Sequence, residues 1–244
     1  MLCETEAIIL NSRKYSDTSK IISVFSREFG RFSLIAKGAR QSKSRFGASL
    51  EPLSKSTIWF NKKPQSDLQF LTNAELLSYG KQVHGNYQKL AIGLMIAETI
   101  SKTQEEYAAN EALYQLLVEF YDNIELVCIN AFSVFSLFIL DLVDLLGYGM
   151  GFTYTTDDNQ KDFLYISLEN FSILDEVIYS KNIFRLHFKS YLFLQKLCFG
   201  GLEVSLKLNP NIEMQHELIK FFAAYLSYHN DKVIIFKMEN LLNL

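Results

Sequence analysis

Hydrophobic and polar residues alternate along the first part of the chain. Ile22 and Val24 are separated by Ser23, and Phe32 and Leu34 by Ser33, which is the period-two pattern of half-buried strands. Five such segments occupy about 75 residues: TEAIILNSR, SKIISVFSRE, RFSLIAKG, LSKSTIWFNKK and DLQFLTNAELLSY. Gly or Pro punctuates the gaps between them. The pattern predicts a small antiparallel β-barrel, and an OB-fold is one architecture of this kind.

From Lys81 onward, apolar residues recur at the i, i+3 and i+4 spacing of helices. Predicted helices cover YQKLAIGLMIAETISK, ANEALYQLLVEFYDNIEL, Leu126 to Leu146, and the regions around YLFLQKLCFG and NIEMQHELIKFFAAYLSYH. Between the third and fourth of these lie a glycine-rich break (GYGMGF), a polar stretch (TYTTDDNQKD) and two or three predicted short strands, FLYISL, FSILDEVIY and IFRLHF. We therefore predict an α+β protein with an N-terminal barrel at 1–80 and a mainly α-helical domain with a small β insertion at 81–244.

Charge is distributed unevenly along the 244 residues, although the formal net charge is only -3. Residues 1–80 contain 12 Lys and Arg against 7 Asp and Glu, whereas residues 81–244 contain 12 against 20. Between Arg27 and Lys63, nine basic residues are opposed only by Glu28 and Glu51. Such asymmetry is typical of a polyanion-binding module joined to a different body.

Cysteine usage and hydropathy exclude some classes of protein. Cys3, Cys128 and Cys198 are far apart and form no C-x-x-C pair, so neither a disulfide framework nor a thiolate zinc cluster is indicated. A reducing cytoplasm is the simplest setting, and the N-terminus lacks the basic flank and length of a secretory signal. The most apolar stretch, Leu126–Leu140, is shorter than the roughly 20 residues of a membrane-spanning helix. We interpret it as a helix buried in a soluble core.

No common catalytic motif occurs in the sequence. G-x-x-x-x-G-K-S/T, H-E-x-x-H and G-x-S-x-G are absent, and GYGMG follows a predicted helix rather than a strand. The acidic pairs Asp157–Asp158 and Asp141–Asp144 are expected to be solvated surface. We therefore expect no enzyme and no cofactor; the alternative is an enzyme whose site assembles only in three dimensions.

The densest positive charge lies in AKGARQSKSRFG, residues 36–47, which we name the basic loop. It connects the third and fourth predicted strands and carries Lys37, Arg40, Lys43 and Arg45 with no acidic residue. Blocks of charge are usually inert solvated surface. Here glycine and serine residues between the cations leave backbone amides accessible, and this combination binds phosphate groups.

Other basic and aromatic residues nearby are candidates for the same surface. The basic ones are Arg13, Lys14, Lys20, Arg27, Arg31, Lys62 and Lys63. Candidate rings for base stacking are Phe29, Phe46, Trp59 and Phe60. Because an aromatic residue in a strand is more often buried than displayed, we expect most of these rings in the core. Phe46 is the exception, since it lies inside the polar loop.

The N-terminal motifs also fit a known pattern. Their positions are Ala7, Ile8, Leu10, Arg13 and Tyr15, then Arg27, Glu28 and Gly30, then Ala36 through Gly47, then Leu50 and Pro52. They resemble, in order and spacing, the AI-x-L-x-x-R-x-Y, T-R-E-x-G, A-K-G-A-R-x-x-K-S-R-F-G and L-x-P motifs of the RecO family of bacterial recombination mediators. DLQFLTNAELLSY resembles that family's closing strand. The resemblance is specific over about the first 80 residues and fainter beyond them, where DLLGY stands in place of L-L-x-x-L-G-Y.

The resemblance implies an OB-fold followed by a helical domain, in a cytoplasmic, nucleoid-associated protein without a membrane partner. RecO proteins bind single- and double-stranded DNA and anneal complementary strands. With RecR they help RecA to replace the single-strand-binding protein in DNA repair by recombination. The DNA-binding candidates are then Arg13, Lys20, Arg31, Lys37, Arg40, Lys43, Arg45 and Phe46. A generic OB-fold module for RNA or other oligonucleotides is the alternative.

Two further expectations concern the C-terminal domain. Many RecO proteins carry a four-cysteine zinc cluster after the L-G-Y segment, where this chain has GMGFTYTTDDNQKDFLYISL without a cysteine. We therefore expect no structural zinc, with the short strands between Phe163 and Phe188 packing this lobe instead. The acidic helical domain is expected to dock proteins, with a groove for the acidic tail of the single-strand-binding protein. Its available basic partners are Lys189, Lys196, Lys207 and Lys220.

Overall fold

The computed structural model describes residues 1–63, 66, 68–126, 131–153, 162–174 and 180–237. The chain forms two compact units, Met1–Glu125 and Leu126–Leu244. The sequence boundary near residue 80 stays a prediction, and the helices that follow it directly belong to the first compact unit. Cys128, the Asp157–Asp158 pair and most of the predicted polar stretch lie outside the described residues.

Five strands form the first part of unit 1 and confirm the strand predictions. They are β1 (Leu2–Lys14), β2 (Lys20–Ser26), β3 (Gly30–Ala36), β4 (Lys55–Asn61) and β5 (Leu68–Ser78). The strands pair in the order β1-β2-β3-β5-β4, and β4 pairs back with β1, so the sheet closes into a barrel. All pairs are antiparallel except β3 with β5. The β3–β5 contact that completes the barrel is short, joining Ser33–Ile35 to Leu68–Phe70.

The inner positions of the strands fill the barrel with apolar side chains. Ile22, Val24, Phe32 and Leu34, the residues whose alternation predicts β2 and β3, are all fully buried. Phe60 of β4 joins Phe32, with ring centroids 4.8 Å apart. Burying a side chain of this size stabilises the fold by roughly 1.5–3 kcal/mol, so the alternation supplies most of the barrel's cohesion.

Three helices follow in the same unit: α1 (Lys81–His84), α2 (Tyr87–Thr103) and α3 (Glu111–Leu126). Asn86 caps α2, because its side chain accepts a hydrogen bond from the Lys89 backbone N–H. Helix α2 packs on the outer face of β1. The absence of a side chain at Gly93 allows Leu53 to pack directly against α2, since a Cβ atom at Gly93 would lie 2.6 Å from Leu53 Cδ1.

The connection between α2 and α3, residues 104–110, closes the end of the barrel where β3 begins; we name it the Tyr107 segment. The Tyr107 N–H donates a hydrogen bond to the Arg31 carbonyl oxygen (2.8 Å), and its ring stacks on Phe32 with centroids 5.7 Å apart. Gly30 lies so close that a Cβ atom there would stand 2.1 Å from the Ala108 oxygen. The barrel is therefore sealed at this end by a segment about 70 residues away in sequence.

The described residues of unit 2 form three helices and a small antiparallel sheet, as predicted. Its elements are α4 (Phe132–Leu145), β6 (Phe163–Ser167), β7 (Ile173–Leu174), β8 (Ile183–His187), α5 (Phe188–Ser205) and α6 (Ile212–Asn230). The strand order is β7-β6-β8. Helix α4 is buried along most of its length, and Phe135 packs edge-on against Phe222 and Phe236. Within the described residues, no helix is both long and apolar enough to cross a membrane.

Candidate nucleic-acid interface

Three strand ends meet at one end of the barrel, which we name the upper end. Lys14 at the end of β1 pairs with Lys20 at the start of β2, and Lys20 pairs with Ala36 at the end of β3. The β1–β2 turn (residues 15–19) and the basic loop both emerge there. Residues that are more than 30 positions apart in sequence therefore contribute to one surface.

The basic loop is a series of turns anchored on the β1–β2 turn. The Arg40 N–H donates to the Thr18 carbonyl oxygen (3.0 Å), and the Arg40 Nη1 group donates to the Ser16 carbonyl oxygen (2.5 Å). Within the loop, Gln41 N–H donates to Gly38 O and Ser44 N–H to Gln41 O. Gly38 adopts a φ of +75°, a conformation that glycine takes without strain.

The loop's four cations are all displayed to solvent. Lys37, Arg40, Lys43 and Arg45 are exposed, and Arg13 is exposed beside them at the end of β1. Their backbones are held by strand pairing and turns, while their charged ends are accessible. Side chains of this type contact phosphates without requiring a fixed geometry.

The position of Phe46 differs from the one predicted from the sequence. Its side chain is only 4% exposed and belongs to the barrel's hydrophobic core, so the prediction that its ring is displayed for base stacking is wrong. The ring packs in that core, and Ser49 Oγ donates to the Phe46 carbonyl oxygen. The Arg45 guanidinium lies 5.0 Å from the ring centroid. Phe46 therefore anchors the basic loop in the core, although its neighbours in sequence are polar.

Lys20 and Arg31 differ from the exposed cations because each is paired with a carboxylate. Lys20 Nζ lies 2.9 Å from Glu51 Oε1, and Arg31 Nη1 lies 3.1 Å from Glu106 Oε1. Arg31 Nε also donates to the Gln104 carbonyl oxygen. Arg31 stands at the start of β3, six residues and therefore about 20 Å of strand from Lys37. The structure places Lys20 with the basic loop and places Arg31 with the Tyr107 segment.

The other candidate rings are engaged within the fold. Phe60 is fully buried, and Phe29 packs against the same core with its ring edge-on to Phe60. Trp59 lies on the outer face of β4, where its indole N–H donates to Glu4 Oε2 (2.8 Å). The expectation that most of these rings belong to the core is confirmed for Phe29 and Phe60.

Phe70 is an aromatic residue that sequence reasoning missed. It lies on the outer face of β5, opposite Ile35 of β3, and is partly exposed. Lys37 Nζ stands 5.0 Å from its ring centroid and Lys63 Nζ stands 5.1 Å away. Lys63 follows β4, so the basic loop and the β4–β5 connection converge on this ring.

Gln69 explains why Phe70 faces outward. Gln69 is 1% exposed, and its Oε1 accepts a hydrogen bond from the Lys63 N–H. Its Nε2 donates to the Lys63 and Ser66 carbonyl oxygens and to the Tyr107 hydroxyl. A buried amide is tolerated when all its groups are bonded. Since side chains alternate along a strand, this inward Gln69 places Phe70 on the outside.

Unit 2 contains a groove between the beginnings of α5 and α6. One part of about 340 Å³ is lined by the apolar residues Leu192, Phe193, Leu208, Pro210 and Met214 together with Asn209 and Asn211, with exposed Lys189 and Lys196 at its border. An adjoining part of about 380 Å³ is lined by Glu213 and Glu217. Glu217 accepts hydrogen bonds from the His187 N–H (2.9 Å) and from Ser190 Oγ. Lys207 instead pairs with Glu203 (2.6 Å), and Lys220 is exposed on α6.

In the described ranges, no three His, Cys, Asp or Glu side chains gather where they could hold a metal ion. Cys128 and residues 154–161 lie outside those ranges. The absence of structural zinc therefore stays a prediction.

Comparison with known proteins covers both units. The family profile described as "Recombination protein O N terminal" matches residues 1–79, and "Recombination protein O C terminal" matches residues 84–232. Proteins named "DNA repair protein RecO" are similar to it: that of Salinibacter ruber (strain DSM 13855 / M31) is 29% identical over 146 residues, 60% of this chain and 56% of the relative. That of Thermoanaerobacter sp. (strain X514) is 32% identical over 148 residues, which are 60% of this chain and 58% of the relative. That of Desulfatibacillum aliphaticivorans is 33% identical over 144 residues, 59% and 56%.

The aligned part of the chain spans little more than half the length of these relatives. The two family profiles together extend over most of its 244 residues. The chain belongs to the RecO family.

Proposed function

We propose that this protein acts in DNA repair and homologous recombination by binding single- and double-stranded DNA and annealing complementary strands. The observation that carries the proposal is the display of Lys37, Arg40, Lys43 and Arg45 at the end of the barrel where Arg13 also emerges. Membership of the RecO family gives this basic surface its functional context. The strand order supports an OB-fold, whose loops and strand faces bind oligonucleotides.

The mechanism is electrostatic and needs no covalent chemistry. Cations on the basic loop neutralise phosphates, which reduces the repulsion between two strands and releases condensed counterions. Backbone contacts of this kind carry no sequence information, so annealing is expected on any pair of complementary strands. Affinity for duplex falls with salt, with a slope of about -0.9 for each neutralised phosphate.

Partners follow from the same proposal. With RecR, the protein assists the loading of RecA on DNA coated by the single-strand-binding protein. Apolar Leu192 and Met214 line the groove in unit 2 and Lys189 and Lys196 border it, which supports docking of the acidic tail of that protein in the part away from Glu213 and Glu217. A tail-peptide titration of wild type and of K189A/K196A tests this docking; equal affinity for the two proteins would contradict it.

The decisive experiment is an annealing assay with fluorescently labelled complementary strands and no nucleotide. The variant K37A/R40A/K43A/R45A is expected to bind DNA at least tenfold more weakly and to show a flatter salt dependence. K181A/K207A/K220A/K232A, which removes the same charge from unit 2, is the matched control and is expected to anneal like wild type. Equal annealing by the loop variant and wild type would refute the proposal. RNA strands in the same assay test the alternative of a general oligonucleotide-binding module.

A further inference from the structure

Phe70 is an aromatic residue whose ring lies outside the core of the barrel. Its neighbours on β5, Gln69 and Leu71, are buried at 1% and 6% exposure, whereas Phe70 faces outward and is partly exposed. An outward aromatic residue in a strand commonly packs under a helix or a loop. Here the ammonium groups of Lys37 and Lys63 lie 5.0 and 5.1 Å from the centroid of the Phe70 ring.

The two ammonium groups come from different parts of the chain. Lys37 begins the basic loop after β3, and Lys63 follows β4, so each is positioned by a separate strand end. With both about 5 Å from one centroid, they lie within about 10 Å of each other. Their charged ends are carried on flexible four-carbon stems that can move while the ring, held by the β3–β5 pairing, stays in place.

We propose that Phe70 is a stacking platform for one nucleobase of a single strand, and that Lys37 and Lys63 bind the phosphates on either side of that base. This inference rests on the proposed function and adds to it a preference for unpaired nucleotides. In the free protein the ammonium groups occupy the space over the ring, and an arriving strand draws them outward to its phosphates.

The energetic comparison favours this exchange. Each cation over an exposed ring contributes a factor of about two to five to the equilibrium constant, so the two lysines together contribute about four to 25. A base stacked on an aromatic residue contributes a factor of about five to 150. The lysines exchange a neutral ring for anionic phosphates, so ion pairs with the strand replace the cation–ring contacts that are lost when the base arrives.

The geometry also separates single strands from duplex. In a duplex the faces of each base are covered by its neighbours, so the ring has no free base to stack on. Lys37 and Lys63 can contact the phosphates of either form. Phe70 is therefore a residue that distinguishes the two substrates, while the basic loop binds both.

The test compares wild type with F70L and F70W by fluorescence anisotropy on oligo(dT) and on a duplex of equal length. F70L keeps an apolar side chain on β5, and circular dichroism and thermal melting verify its fold. We expect F70L to bind oligo(dT) about five- to 50-fold more weakly, with a change of less than twofold on duplex. F70W is expected to bind oligo(dT) at least as tightly as wild type. Equal losses on both substrates, or no loss, would overturn the inference.

A second measurement changes the DNA rather than the protein, and its main comparison uses wild type only. Replacing bases by abasic sites removes the stacking partner while keeping the phosphates, so wild type is expected to bind the abasic strand several-fold more weakly than oligo(dT). F70L is expected to bind the two strands equally. Equal binding of both strands by wild type would contradict the stacking platform but not the proposed function. Failure of wild type to bind any DNA would instead contradict the proposed function.

Discussion

The side-chain amide of Gln69 donates a hydrogen bond to the hydroxyl of Tyr107 at 3.0 Å, inside the first compact unit. One residue belongs to β5 and the other to the connection between two helices. The same amide bonds the backbone of Lys63 through both its oxygen and its nitrogen. Gln69 therefore couples the closure of the barrel to the position of the lysine beside Phe70.

The first prediction concerns this amide. Q69L leaves the Lys63 N–H and carbonyl and the Tyr107 hydroxyl without their partner, and unpaired buried polar groups are costly. We expect the free energy of unfolding to fall by about 2–4 kcal/mol, measured by urea denaturation. Q82L, at an exposed glutamine on α1, is the control and is expected to change it by less than about 0.5 kcal/mol. Similar values for the two variants would show that the Gln69 network contributes no stability.

The second prediction concerns the contact between Gly30 and the Tyr107 segment. Gly30 has a φ of +64°, and a Cβ atom there would lie 2.1 Å from the Ala108 oxygen. G30A is expected to destabilise the fold by about 3 kcal/mol or more, because it combines backbone strain with a steric clash. Gly47 has a φ of +50° with no atom within 4 Å of a Cβ, so G47A isolates the backbone strain. Its expected cost is only about 1–2 kcal/mol. If G30A and G47A lower the stability equally in thermal denaturation, the Tyr107 segment moves away from the added Cβ atom at little energetic cost.

The third prediction separates anchoring from DNA binding at Phe46. F46A is expected to lower the free energy of unfolding by about 3–5 kcal/mol, because it leaves a cavity in the core. F46L preserves most of the volume, so we expect it to fold and to bind oligo(dT) within twofold of wild type. A large loss of oligo(dT) affinity in folded F46L would contradict the anchoring role.

The fourth prediction ranks the basic residues by their existing partners. Lys43 is exposed, whereas Arg31 is paired with Glu106 and bonded to the Gln104 backbone. If the basic loop binds DNA, K43A should reduce the salt slope of duplex binding by about one. R31A should leave that slope nearly unchanged and should instead reduce stability modestly, by up to about 1 kcal/mol. A steeper loss of DNA affinity in R31A than in K43A would place the interface at the opposite end of the barrel.

The strands were predictable because their alternation coincides with burial. Ile22, Val24, Phe32 and Leu34 all face the interior, as their period-two spacing indicates. The display of the basic loop was also predictable, since clustered cations are rarely buried. The strand order was not, because the parallel pairing of β3 with β5 joins residues more than 30 positions apart.

The failures have particular physical causes. Phe70 was not among the candidate rings, because in LQFL both Phe70 and Leu71 are hydrophobic and alternation alone does not decide which one faces inward. Gln69 has enough hydrogen-bond partners to lie in the interior, and this places Leu71 inside with it. Phe46 lies among polar residues in the sequence, yet its ring belongs to the core of the barrel. The pairing of Arg31 with Glu106 depends on a contact across 75 positions that local sequence does not reveal.

The Tyr107 segment has a consequence for how this chain can vary. Connections between helices ordinarily tolerate insertions and deletions, because they lie on the surface and contact little. This one is held at Arg31, Phe32 and Gln69, so adding or removing even one residue would shift Tyr107 out of its place. Although it has the composition of a loop, its length is as constrained as that of a core strand.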